Sequence, residues 1–392
     1  EFRRVLFRSI RNWLSMQRNI RFLFVIILLS LTACTPLILS TMGMKKPHVP
    51  TDEVFYRFGE KWNMSIYYQQ ILLSSYIDEI EKLDLPVVYL LDYRIKERDL
   101  TIKRSNEIVF LNNSLIKRLW FYFLNRNSFF KVLCFGNLPP SIKINAIVFT
   151  YFHQLNYLSN KNELGFLNNL IFTLKKFVFN SHIKLTDFWI VQTLFVKDEL
   201  LKKYNVIPNS NVHVIPFYPS LVNSGIYKKQ KDTYLYVSSG FEYKNHLNLL
   251  SAFCLFFDQF ERGVLYVTIS AEFKTLYNYI NDLVDKGYPI VNIGNVDRGS
   301  LYYYYSICNF LVYPSKIESL GLGVLEGIEN NCYVLGPDLP WLHSVCEPSL
   351  VFDPNTVSSI LEVLQRSIHG NLMPSRQLAY NKIDDLIKLL LI

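Results

Sequence analysis

Short apolar runs alternate with longer amphipathic stretches along most of the chain. Pro86–Leu91 (PVVYLL), Lys131–Phe135 (KVLCF), Ala146–Phe152 (AIVFTYF), Phe188–Gln192 (FWIVQ) and Val212–Ile215 (VHVI) are rich in β-branched and aromatic residues. Several are closed by turn or proline signals, which predicts strands. Ile66–Leu83 and Gly165–Phe179 between them carry a helical pattern. Residues 216–232 (PFYPSLVNSGIYKKQKD) combine prolines, a glycine turn and a charge run, as an interdomain linker does. A second alternation follows. Strands are expected at Tyr234–Ser238, Val264–Ile269, Ile290–Ile293, Phe310–Tyr313, Tyr333–Gly336 and Leu350–Phe352. Helices are expected at Asn245–Phe260, Ala271–Lys286, Ser300–Ile307, Gly323–Asn330 and Val357–His369. Strands alternating with helices predict an α/β chain with parallel sheets covered on both faces. The expected layout is one doubly wound domain over 51–217, a second over 218–365, and a C-terminal helix over 366–392. A linker between two such domains makes a cleft, and open sheets of this kind bind ligands beyond the carboxyl ends of their strands.

The first fifty residues follow other rules. Residues 1–9, EFRRVLFRS, read as a translated sequencing adapter and are set aside as an artefact. Within 10–50, the apolar run Phe22–Leu31 admits three readings. It is a buried first strand, the start of a membrane anchor over Phe22–Met42, or a leader ending in Leu31-Thr-Ala-Cys34 like that of an exported lipoprotein.

Composition narrows the function classes. The 392 residues are 50% hydrophobic, ample for two cores. Six cysteines (Cys34, Cys134, Cys254, Cys308, Cys332, Cys346) form no C-x-x-C pair and have no histidine cluster nearby, so buried reduced thiols are expected and no metal site. The net charge of +8 is uneven. Residues 1–215 hold 28 Lys and Arg against 16 Asp and Glu, whereas 216–392 hold 13 against 17. A basic half fits an anionic partner such as phospholipid or a lipid phosphate. No nucleic-acid-binding signature accompanies it.

The segment richest in chemistry is Tyr313–Gly336, YPSKIESLGLGVLEGIENNCYVLG. Glu318 and Glu326 stand eight positions apart, with Gly321, Leu322 and Gly323 between them. The apolar run before it is a strand, and the stretch from Leu322 onward is helical. The glycines therefore fall at a loop-to-helix junction, where unpaired N–H groups and the positive helix end can receive a diphosphate. Glycine lets the backbone approach such a ligand. Glu326, in the first turns, can accept both hydroxyls of a ribose. Glu318, on the loop, can reach sugar hydroxyls at a reaction centre.

This arrangement resembles the E-x7-E motif of family 4 of the retaining GT-B glycosyltransferases. The similarity extends over most of residues 80–365. It includes Asn137–Pro140, Tyr151–His153, Val212–Phe217, Gly240–His246 and Leu339–Phe352. Those segments look most like O-antigen and capsule transferases. The resemblance implies a GT-B fold of two Rossmann-like domains facing across a cleft. It implies transfer of a sugar from a nucleotide-sugar donor to a lipid-linked or cell-surface glycan acceptor, with no metal and no other cofactor. Lys244 takes the place of the basic residue that meets the donor diphosphate, and Gly294-Asn295-Val296 that of the nucleobase loop. His153 takes the place of a histidine that contacts the donor sugar, so the catalytic set would be Glu318, His153 and Lys244. An arginine usual a few residues before the lysine has no counterpart in Gly240-Phe241-Glu242. The early Gly-rich loop is matched only poorly, by Arg57-Phe-Gly59. Those two departures motivate an alternative, a non-catalytic sugar-nucleotide-binding protein. A related sugar-nucleotide enzyme, such as an epimerase or a starch or glycogen synthase relative, is a further reading. The expected location is the cytoplasm, peripheral to the inner face of the membrane, with possible contact to anionic lipid.

Overall fold

The structure is a computed structural model, and it describes residues 72–83, 86–92, 102–103, 106–111, 114–158, 166–221 and 225–391. The expectations for residues 1–50 and for Arg57–Gly59 lie outside these. Two compact units emerge. Among the described residues, one gathers 81–150 and 159–187, and the other gathers 72–80, 151–158 and 188–392.

In the first unit, strands β1 (Val88–Asp92) and β2 (Glu107–Leu111) pair in parallel. Helix α1 (Leu115–Leu124) follows, its start capped by the Ser114 hydroxyl, which accepts from Lys117 N–H at 3.3 Å. Strand β3 (Lys131–Cys134) pairs in parallel with β4 (Ile147–Phe152), whose last two residues group with the second unit. Tyr122 of α1 packs into a core with Cys134, Ile144 and Val148. Helix α2 (Phe166–His182) leads to Asp187, whose carboxylate accepts from Val148 N–H at 2.8 Å.

The second unit opens with parallel β5 (Phe188–Val191) and β6 (Val212–Val214), separated by α3 (Leu194–Lys203). Its main sheet has six parallel strands: β7 (Gln230–Tyr236), β8 (Val264–Val267), β9 (Ile290–Asn292), β10 (Cys308–Val312), β11 (Tyr333–Pro337) and β13 (Leu350–Phe352). Their spatial order is β13-β11-β10-β7-β8-β9. The order reverses direction at β7, which creates a switch point between β10 and β7. Helices α4 (His246–Phe260), α5 (Lys274–Asp285), α6 (Arg298–Ile307), α7 (Leu322–Glu329), the short α8 (Pro340–His343) and α9 (Val357–His369) connect or flank these strands. The strands are apolar on both faces because helices cover both. Tyr234, Leu235, Tyr236, Leu311 and Val312 are all fully buried.

Two sequence expectations change here. The stretch after β6 does not start as a loose linker: Phe217 and Tyr218 are buried, and the Pro216 carbonyl accepts from Lys382 N–H at 2.7 Å. The Tyr218 hydroxyl accepts from the Gln377 side-chain amide at 2.6 Å and donates to Glu329 at 3.1 Å. Apolar side chains and backbone groups of 216–218 are satisfied inside the second unit, so residue 217 does not bound it. The segment 366–392 is not one helix. It holds the end of α9, then β14 (Arg376–Gln377), antiparallel to β12 (Cys346–Glu347), and then α10 (Ile383–Leu391). Gly370 ends α9 and Pro374 falls in the stretch that follows it, as both residues favour.

Candidate active site

Loops at the carboxyl ends of β7, β10 and β9 hold most of the predicted site residues. After β7 a single helical turn, Glu242–Lys244, leads into Asn245, a left-handed residue at φ 62° that starts α4. Asparagine tolerates this backbone better than most residues. Its side-chain amide donates to the carbonyls of Pro314 (3.3 Å) and Pro354 (2.7 Å), tying the ends of β7, β10 and β13 together. The Tyr236 hydroxyl donates to the Lys244 carbonyl at 2.6 Å, and Lys316 N–H donates to the Tyr243 carbonyl at 2.9 Å. These bonds aim Lys244 at the loop after β10.

There Lys244 meets Glu318 in an ion pair whose side chains are 12% and 13% exposed. The Tyr313 hydroxyl donates to the same carboxylate oxygen at 3.2 Å. Burial alone would lower the Lys244 pKa, but the attraction of Glu318 outweighs it and leaves it raised, so the ammonium is charged at neutral pH. The neighbouring His246, packed on Tyr236 at 4.6 Å, is pushed down to about 3 by burial and by the Lys244 charge, and stays neutral. Ser315, fully buried, shapes the loop by donating to the Ile317 carbonyl at 3.3 Å.

The Glu318 loop runs into α7 through Gly321, which sits at φ 63° and caps the helix without any side-chain bond. Only glycine suits that position twice over, because a Cβ there would also come within 2.9 Å of the Trp341 ring. Gly323 packs its backbone closely on Tyr313, where a Cβ would lie 3.0 Å from the ring. Leu322 is the first residue of the helix.

Glu326, one turn further on, is 2% exposed. Arg298 Nη1 lies 2.8 Å from its Oε1, and the Tyr305 hydroxyl donates to its Oε2 at 3.1 Å. Arg298 is itself held by the Pro219 carbonyl at 2.9 Å. Burial raises the Glu326 pKa to about 7, with Arg298 and Tyr305 acting against it. A carboxylate expected to wait for a ribose is thus already engaged, although its oxygens retain acceptor capacity beyond these two contacts. Arg298 and Tyr305 were not singled out in the sequence. Their seven-residue spacing, two turns on one helix, is the signal that places both on the face of α6 that meets Glu326.

Gly294-Asn295-Val296 forms the loop from β9 to α6. Asn292 Oδ1 accepts from Gly294 N–H at 3.1 Å and from Ile269 N–H at 2.9 Å, while its amide donates to the Ile269 carbonyl at 2.9 Å. Asp297 then caps α6, accepting from Ser300 N–H at 2.9 Å. At the end of β7, Ser238 N–H donates to the Thr268 hydroxyl at 2.9 Å, which donates back to the Ser238 carbonyl at 3.0 Å.

His153 directly follows β4. It is buried, its ring stands 5.6 Å from that of Tyr151, and burial lowers its pKa to about 4. The position where the family's arginine was expected is aromatic instead. Gly240 lies under the Phe273 ring, which a Cβ would meet at 2.5 Å, and Phe241 stacks on Tyr243 at 5.8 Å.

No family model matches the chain, and no curated protein does. Solved structures do. Sucrose-phosphate synthase from Thermosynechococcus elongatus is 14% identical over 77% of this chain and 83% of its own, with a TM-score of 0.55. A glycosyltransferase from Rickettsia africae is 14% identical over 76% and 84%, with a TM-score of 0.55. The lipopolysaccharide outer core galactosyltransferase WaaB, in its apo form, is 13% identical over 82% and 90%, with a TM-score of 0.50. The chain spans about half the length of two other matches, 45% of the pneumococcal O-GlcNAc transferase GtfA and 53% of S. aureus TarM. The likenesses to sucrose-phosphate synthase, the Rickettsia africae glycosyltransferase and WaaB establish the fold: α/β, with the parallel sheets of the GT-B glycosyltransferases.

Proposed function

We propose that this protein is a glycosyltransferase that moves a sugar from a nucleotide-sugar donor to a lipid-linked or cell-surface glycan, of the O-antigen or capsule kind, with retention of anomeric configuration. The observation that carries the reading is the Lys244–Glu318 pair at the β10/β7 switch point, immediately before the glycine-bearing start of α7. A donor diphosphate is the natural competitor for that ammonium. As the bond from the sugar to the diphosphate breaks, negative charge grows on the leaving oxygens, and Lys244 with the positive end of α7 would stabilise it. The departing diphosphate would take the acceptor hydroxyl's proton on the same face. Glu318, released from Lys244, would hold sugar hydroxyls, while Glu326, steadied by Arg298 and Tyr305, would accept from the ribose. His153, neutral at pH 7, would orient the donor sugar by hydrogen bonding rather than by charge. Gly294-Asn295-Val296 would receive the base. The TarM complex named among the matches contains UDP and a GlcNAc-glycerol, and WaaB is a lipopolysaccharide enzyme. Both agree with the donor and acceptor classes proposed.

A second reading, nucleotide-sugar binding without transfer, is favoured by the Phe273–Gly240 contact where a second cation was expected. A thermal-shift series with UDP-, GDP- and dTDP-sugars, followed by donor turnover with a lipid-linked acceptor, decides. A ligand at about 1,000 times its Kd stabilises by about 4 kcal/mol. A melting shift with turnover supports transfer, a shift without turnover supports binding alone, and no shift with any donor removes both.

A further inference from the structure

Helix α1 is apolar on both faces, and only one of them is buried. Tyr122 on the inner face is 5% exposed against Cys134, Ile144 and Val148. On the outer face Ile116, Leu119, Trp120, Phe123 and Leu124 are 43%, 40%, 57%, 53% and 72% exposed. Their spacing of i, i+3, i+4, i+7 and i+8 is that of a stripe which ordinarily faces a core. Phe130, just past the helix, is 93% exposed. A single exposed aromatic needs no explanation, but a contiguous apolar stripe marks an interaction surface.

The charge along the chain segment that carries it is of one sign. From 108 to 162 the chain contains no Asp or Glu at all. Exposed Lys117 lies on the helix, and exposed Arg126 and Lys143 lie at its C-terminal side. The last two are brought together there, because Asn145 N–H donates to the Arg126 carbonyl at 2.8 Å and its side chain donates to Asn127 at 2.7 Å. This rim argues against a symmetric contact with a second copy, which would set the basic rim of one copy, Lys117, Arg126 and Lys143, against the basic rim of the other. It favours a negatively charged, apolar-cored surface. Ten residues are too few to span a bilayer, and no described helix is long and apolar enough to cross one.

We propose that the outer face of α1, with Phe130 and its basic rim, docks this protein on a bilayer containing anionic lipid. The helix lies in the interface with Trp120 and Phe123 at the headgroup level, and Lys117, Arg126 and Lys143 meet lipid phosphates. The docking is independent of the sugar-transfer reading, since none of these residues belongs to the site.

The test is co-sedimentation of the full chain with phosphatidylcholine vesicles, with and without phosphatidylglycerol, over a salt series. Two variants accompany it: Trp120→Ser with Phe123→Ser, and Arg126→Gln with Lys143→Gln. The unaltered chain is expected to bind the anionic vesicles and to release with salt. Removing two basic side chains is expected to weaken binding about thirtyfold at low salt, from about 1 kcal/mol per charge. The aromatic variant is expected to weaken it at all salt concentrations. All these side chains are exposed, so melting temperatures should match and turnover of a water-soluble donor should be unchanged. Binding that survives both variants places the membrane contact elsewhere in the chain and overturns the proposal. Absence of binding to anionic vesicles overturns it too, as does a dimer in solution that the aromatic variant converts to monomer.

Discussion

Glu326 offers the most discriminating measurement on this protein. Its carboxyl is 2% exposed, and burial raises its pKa from 4.5 to about 7 against the opposing pull of Arg298 and Tyr305. Replacing it by glutamine keeps the shape, leaves a carbonyl oxygen to accept from Arg298 and an amide to donate to the Tyr305 hydroxyl, and removes the titration. Below pH 4.5 the carboxyl is protonated in folded and unfolded chains alike, so its contribution is fully present there. As pH rises, the unfolded chain releases this proton first while the folded chain still holds it, so stability falls until pH passes about 7. The gap between 4.5 and about 7, at about 1.4 kcal/mol per pH unit, comes to about 3 kcal/mol. Urea unfolding of parent and Glu326→Gln across this window should show the variant gaining about that much relative to the parent. Donor affinity should move the other way. The ionised form is the better acceptor for ribose hydroxyls, so the parent should bind nucleotide-sugar more tightly above pH 7 while the variant stays flat. A stability difference independent of pH would mean that Arg298 holds the carboxylate ionised throughout, and the argument from burial would be wrong.

Three other perturbations have defined outcomes. Lys244→Met should lower kcat about a hundredfold while changing KM much less, because the ammonium matters most as the diphosphate departs; equal changes in both would assign it to ground-state binding. Gly321→Ala should cost about 1–3 kcal/mol in chemical unfolding, from its φ of 63° and the Trp341 contact, and an unchanged midpoint would refute that local geometry. Asn245→Ala should cost about 2 kcal/mol, the loss of two donated hydrogen bonds, and should speed amide exchange in the loops after both β10 and β13. Exchange changed in one loop alone would show that the side chain does not bridge them.

The second unit's main sheet was legible because its strands are mostly apolar runs with branched and aromatic residues, which need no partner to be seen; the polar start of β7, Gln230–Asp232, read instead as the end of the linker. What escaped were elements defined by their neighbours. Strand β2 is five residues long and, among the described residues, pairs only with β1, and α1 is a ten-residue helix whose apolar stripe faces outward rather than into a core. Strands β12 and β14 are two residues each. In the site, Glu318, Gly321, Gly323 and Glu326 could be picked out because one short segment carries them all. Their engagement could not be read from it. Lys244 reaches Glu318 across 74 positions, and Arg298 reaches Glu326 across 28, only because parallel strands deliver their loops to one edge.

The side chains of Asn245, Thr268 and Asn292 each fasten one strand end to another at that edge. Together they link the loops after β7, β8, β9, β10 and β13, leaving only β11 outside the chain of ties. Loops fixed in this way have already surrendered their conformational freedom during folding. A ligand settling on them is spared the ordering entropy that a floppy rim would demand on each encounter. Binding at this edge should therefore show little entropic penalty from the protein backbone, and its cost should lie instead in separating Lys244 from Glu318.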